Sequence, residues 1–137
     1  MTRAELRAFL RAHRVAVVST VSPSGAPEAA LVGFAVSDEL ELVFDTLSTT
    51  RKVANLRANP RVAIVIGGWG DREVTAQLEG LADEHLDDRL RDVYYAAYPD
   101  GRERAAWQDL IYVRVRITWA RFSDFETGRI TELGDLA

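Results

Sequence analysis

The sequence predicts a mainly β fold, a closed or nearly closed antiparallel barrel with a few flanking helices. Three observations lead there. β-branched and apolar runs recur along the chain, separated by short Gly, Pro, Ser and Asp turns. Only three or four windows carry a helical period. The run from Leu110 to Phe122 sets Tyr112, Arg114, Arg116 and Thr118 against Ile111, Val113, Val115 and Ile117, the period of a half-buried strand. Hairpins in series with few helices suit a barrel, because closure removes exposed strand edges.

The elements follow in order. Residues 3–13 place Leu6, Phe9 and Leu10 on one face and arginines on the other, an amphipathic helix. Thr2 is its expected cap, with Glu5 as the capping-box partner. Val15 to Val21 is a strand, and Ser22 to Pro27 is turn chemistry. Residues 28–36 form a second strand, Ser37 to Glu39 a turn and Leu40 to Phe44 a third strand. Thr46 to Pro60 reads as a strand end, a hydroxyl-rich turn and a short helix stopped by Pro60. Val62 to Ile66 is almost wholly apolar, which predicts a strand buried on both faces. Gly67 to Asp71 turns the chain into a strand from Glu73 to Ala82. Residues 83–98 are helical, capped by Asp83 and ended by Pro99-Asp-Gly101. A short helix is expected within Glu103 to Asp109, and a last strand at Arg129 to Leu133.

Composition limits the function. At 137 residues with no linker or repeat, the chain is expected to be a single domain over 1–137. The net charge of −4 gives no footprint for nucleic acid or an anionic membrane. The absence of cysteine excludes disulfides, thiolate catalysis and cysteine metal sites. The arginine-bearing start is not a signal peptide, and no apolar run is long enough to span a bilayer as a helix. A cytoplasmic location is the default expectation.

The two histidines, His13 and His85, fall near helix ends without ligand-spaced carboxylates, so no metal site is expected. The serines lack a nucleophile elbow. Gly67 to Gly70 opens no helix and is not a dinucleotide fingerprint. Trp107, Trp119, Tyr94 and Tyr95 are expected as core or interface anchors. One stretch stands out. Arg51 and Lys52 occupy the probable first helical turn, where the helix dipole disfavours cations, beside the hydroxyls of Ser48, Thr49 and Thr50. Charge pattern alone leaves two readings open: a phosphate pocket at the helix start, or cations fanned into water.

The order helix, Val15–Thr20 strand, Pro-Ser-Gly-x-Pro turn, Leu42-Val-Phe-Asp-Thr46, Thr50-Arg-Lys52, Asn55-Leu56 and Asn59-Pro-Arg-Val62 resembles the pyridoxamine 5′-phosphate oxidase-like family of flavin-binding proteins. The likeness continues through Trp69, Glu73 and Gly80 to Trp119–Asp124. It implies a six-stranded antiparallel split barrel of the FMN-binding type, and a homodimer with FMN at the interface. By the same resemblance, Thr46, Arg51 and Lys52 match positions that hold the FMN phosphate, and Asp45 and Thr50 are their neighbours. Ala30, Leu31, Val32 and Gly33 match the segment whose backbone faces the isoalloxazine ring. Thr75 falls where the oxidases carry a flavin-contacting glutamine, with Gln77 nearby on the same strand face. The oxidases also carry an arginine and a lysine where this chain has Ala30 and Ala35, and their C-terminal substrate motif has no match after Ser123. The chain therefore looks like the short general-stress-protein branch, an FMN-dependent oxidoreductase whose substrate and acid–base residues stay open. The alternatives are an F420-dependent reductase, a haem-binding relative, or a flavin-binding module without a substrate.

Overall fold

In the computed structural model, residues 1–136 are described, apart from the side chain of Trp69. The single-domain reading over 1–137 includes Ala137, which lies outside the described residues. Helix α1 (Arg3–Arg11) opens the chain, capped by Thr2 with the full capping box to Glu5. It buries Leu6 and Leu10 completely. Strands β1 (Val15–Val21), β2 (Pro27–Gly33), β3 (Ala35–Val36) and β4 (Glu41–Leu47) follow, then helix α2 (Arg51–Ala58). Next come β5 (Arg61–Trp69), β6 (Glu73–Asp83), α3 (Asp88–Ala97), α4 (Gly101–Arg104), β7 (Leu110–Asp124) and β8 (Arg129–Leu133).

All pairings are antiparallel, and the strands run β2-β1-β5-β6-β7-β4-β3, with β8 attached beside β7. The two ends of that path, β2 and β3, are consecutive in the chain. Sequence alternation predicts one strand from 28 to 36, but Phe34 interrupts it and sends its N–H to the Arg14 carbonyl at 3.1 Å. β2 then pairs with β1, while β3 pairs with β4. The sheet thereby curls until its ends meet through one residue. Counting β2 and β3 as halves of one strand gives six around the barrel, with β8 outside it. Phe34, Leu6, Leu10, Phe44, Ile64, Leu78, Val115 and Ile117 share the main core.

Four local expectations change. Strand β5 is not buried on both faces: Val62, Ile64 and Ile66 are buried, while Ala63 and Val65 are exposed. The strand is central in the sheet, between β1 and β6, and its outward apolar residues mark a second apolar surface. Asp87, not Asp83, caps α3, because the Asp83 carboxylate is engaged by Arg114 at 2.7 Å and by the His85 N–H at 3.0 Å. The short helix after Pro99 spans Gly101–Arg104. Trp107 is exposed, whereas Tyr94 and Tyr95 are buried in a second small cluster with Tyr112 and Tyr98 packed against it.

Gly80 marks the one register shift between β6 and β7. A Cβ there would meet the Arg116 carbonyl oxygen at 2.6 Å and Val115 Cγ1 at 2.7 Å. Bulges commonly place glycine where two backbones approach closely. Gly80→Ala is expected to destabilise the protein by about 2–3 kcal/mol, since neither strand can retreat without breaking the ladder. Gly70→Ala, where nothing lies within 4 Å, is expected to be near neutral. Urea unfolding of both variants compares them directly.

Candidate cofactor-phosphate site

The start of α2 sits against β1 and β2. Val18 and Thr20 of β1, Glu28, Ala29 and Ala30 of β2, and Thr49 to Lys52 line a cleft of about 360 Å³. Such volumes suit small-molecule sites. The cleft gathers Ala30, Thr50, Arg51 and Lys52 because α2 folds back over β1 and β2.

Thr50 stands at the N-cap position with extended backbone, as expected, but its hydroxyl does not cap the helix. It donates instead to the Leu47 carbonyl at 2.9 Å. The helix therefore begins without a side-chain acceptor on its first N–H groups, and it has no acidic residue in its first turn. That combination favours an external anion. Arg51 is 80 % exposed at its side chain. Lys52 is half-buried, and the loss of hydration lowers its pKa below the ordinary lysine value.

Three residues of this site escaped the sequence reading. Asn55 is buried and uses its amide to bridge two strands, donating to Thr20 Oγ1 at 3.0 Å and to Glu28 Oε1 at 2.8 Å. Glu28 in turn lies 3.4 Å from Arg51. The available signal was spacing: Asn55 falls one turn after Arg51, on the face that carries Val53 and Leu56 inward. A buried asparagine on that face requires partners.

The other expected site residues fall elsewhere. Val32 points into the core and Gly33 is half-buried beside Tyr98, whose ring a Cβ at Gly33 would strike. Leu31 faces outward, in one row with Val17, Val65 and Gln77 across β2, β1, β5 and β6. Thr75 precedes Gln77 on the same outer face of β6. Asp45 and Thr46 lie on β4 and do not line this cleft. Thr46 is buried. Asp45 holds Arg104 at 2.8 Å, and Arg104 also reaches the Tyr94 hydroxyl at 3.1 Å. Burial, then the Asp45 carboxylate, raises the Tyr94 pKa above that of an ordinary tyrosine. Arg114 is likewise committed, to Asp83 and Glu41, so this part of β7 is tied up in ion pairs.

With that geometry in view, the comparisons are specific. A family model described as pyridoxamine 5′-phosphate oxidase matches residues 2–124. The chain belongs to the pyridoxamine 5′-phosphate oxidase family. A pyridoxine/pyridoxamine 5′-phosphate oxidase of Rubrobacter xylanophilus is 36% identical over 102 residues, covering 74% of this chain and 46% of that protein. One from Thermobifida fusca is 36% identical over 91 residues, 66% of this chain and 40% of that protein. The chain thus spans about half the length of the curated relatives it matches. Among solved structures, a haem-binding protein from Mycobacterium smegmatis superposes with a TM-score of 0.83 at 18% identity, over 96% of this chain and 57% of that one. A FAD-binding protein from Mesorhizobium loti gives 0.71 at 21% identity, over 89% and 92%. These structures share the fold, which their low identity carries and nothing more.

The Thr20–Asn55–Glu28 bridge ties α2 to β1 and to the edge strand β2. Asn55→Ala removes a buried hydrogen bond to Thr20 and a part-buried one to Glu28. It is expected to cost about 1–3 kcal/mol of unfolding free energy, read by urea denaturation.

Proposed function

We propose that this chain is a flavin-binding oxidoreductase that holds FMN by its phosphate at the start of α2. The observation that carries the reading is the uncapped helix start flanked by Arg51 and Lys52 inside a cleft. Residues present fit a phosphate: free first-turn N–H groups, the Thr49 hydroxyl and two cations, while the Thr50 hydroxyl is spent on the Leu47 carbonyl. β2 has a sheet partner on one side only, β1, so its Ala30 to Gly33 backbone is an edge that a flat ring system can approach. When bound, the flavin would supply the redox chemistry, and the protein supplies binding, orientation and shielding from water. The family match to flavin-dependent oxidases supports this assignment. Pyridoxine 5′-phosphate is not the substrate in this reading, because Ala30 and Ala35 offer no cation to its phosphate.

The same reading includes a second copy of the chain. The outer face of β2, β1 and β5 exposes Leu31 at 68%, Val65 at 47% and Val17 between them in register. Exposed apolar rows of this kind mark interfaces. The homodimer would bring Gln77 and Thr75, at the margin of that face, toward the cofactor. Leu31→Asp is expected to convert a dimer into a monomer, measured by light scattering at micromolar concentration. A parent protein that is already monomeric contradicts the shared-cleft arrangement.

The cofactor is identified by the visible spectrum of the purified protein and by titration with FMN, F420 and haem. Arg51→Ala is expected to weaken FMN about five- to twentyfold. That is at and below the lower end of the range for a charge-assisted bond, because water competes at an exposed guanidinium. Riboflavin, which lacks the phosphate, is expected to bind parent and variant alike. Equal loss for both flavins would place Arg51 away from the phosphate.

A further inference from the structure

The carboxylate of Glu28 lines the same cleft as Arg51 and Lys52. An acid in a phosphate pocket opposes the ligand it surrounds. Its position is nevertheless built. Glu28 is only 19% exposed at its side chain and lies 3.4 Å from Arg51. The buried Asn55 amide fixes its other oxygen at 2.8 Å, and that amide is itself anchored on Thr20 at 3.0 Å. Thr20 is buried as well. Rotating Glu28 out of the cleft would leave the buried amide of Asn55 short of an acceptor.

We propose that Glu28 is a specificity-determining residue of this pocket, setting how strongly it separates doubly from singly charged phosphates. The inference rests on the phosphate reading of the α2 start. The charged side chains lining the cleft are Arg51 and Lys52 from α2 and Glu28 from β2. β1 contributes only Val18 and Thr20. Two cations and one carboxylate leave one net positive charge, to which the helix start adds about half a unit. Without Glu28 that sum of about +1.5 would be about one unit higher, and the loss weighs more on a phosphomonoester such as FMN, at about −1.5 to −2 at neutral pH, than on a singly charged phosphodiester. Glu28 thus restrains FMN more than it restrains a phosphodiester ligand, and it occupies Arg51 until an anion displaces the pair.

The Coulomb term scales with ligand charge, so the test has a quantitative signature. FMN, riboflavin 4′,5′-cyclic phosphate and riboflavin carry about two, one and no negative charges on otherwise similar flavins at pH 8. Each is titrated into the parent and into Glu28→Gln, which keeps an oxygen for Asn55. Removing the charge is expected to tighten the cyclic phosphate about two- to threefold and FMN by about the square of that factor, four- to tenfold. Riboflavin is expected to stay unchanged. Glu28→Ala, which removes charge and acceptor together, is expected to shift the three ligands in the same order. FMN affinity that is unchanged or lower in both variants, with riboflavin unaffected, overturns the role of Glu28 while leaving the phosphate site standing. Equal binding of FMN and riboflavin to the parent and to Arg51→Ala instead overturns the phosphate site, and this inference with it.

Discussion

Barrel closure through the segment around Phe34 is the constraint on which the remaining structure depends. A seven-strand path whose ends stayed apart would expose two long edges and leave the core open. Splitting one extended segment into β2 and β3 lets it pair with β1 on one side and β4 on the other. The helix α1 then covers the seam. Arg11 donates twice to the Val36 carbonyl on β3, while Leu6 and Leu10 join Phe34 in the core. The seam also defines where the barrel cannot be continuous, and β2 emerges there as an edge.

That edge lies beside the start of α2. A helix start laid beside a strand edge offers N–H groups and cations to a small anion, while the neighbouring sheet offers a flat surface. The helix α2 is held there by modest apolar burial through Val53 and Leu56 and by the polar bridge of Asn55. The bridge adds direction, which apolar contact lacks. It fixes which face of α2 meets β1 and β2, and therefore where Arg51 and Lys52 emerge.

Charges elsewhere in the molecule have a different character. Glu41 is buried and meets Arg89 and Arg114, and Arg114 continues to Asp83. Asp45, Arg104 and Tyr94 form a second such group. In both, each charged group is matched by partners of this chain, so the pairs hold α3 and α4 against the outer sheet. At the α2 cleft the balance is incomplete: Arg51 has Glu28 as its ion-pair partner, and Lys52 is half-buried with a lowered pKa.

The sequence by itself determined the order and type of nearly every element, since those follow from local period and turn chemistry. The capping box at Thr2 and Glu5, the strands Val15–Val21 and Arg129–Leu133, and the helix between Thr50 and Pro60 are legible in this way. So were the family and the grouping of Thr50, Arg51 and Lys52, because residues close in sequence carry the motif. Only the tertiary structure decided the rest. The break at Phe34 depends on which strands compete for one segment. The direction of the Thr50 hydroxyl depends on the Leu47 carbonyl that the turn brings near. Asp45 goes to Arg104 because α4 folds over β4, 59 positions later. Glu28 meets Arg51 because a helix crosses a hairpin. These are encounters between distant parts of the chain, and no local pattern encodes them, since hydrogen bonding and charge pairing are settled by distance in space.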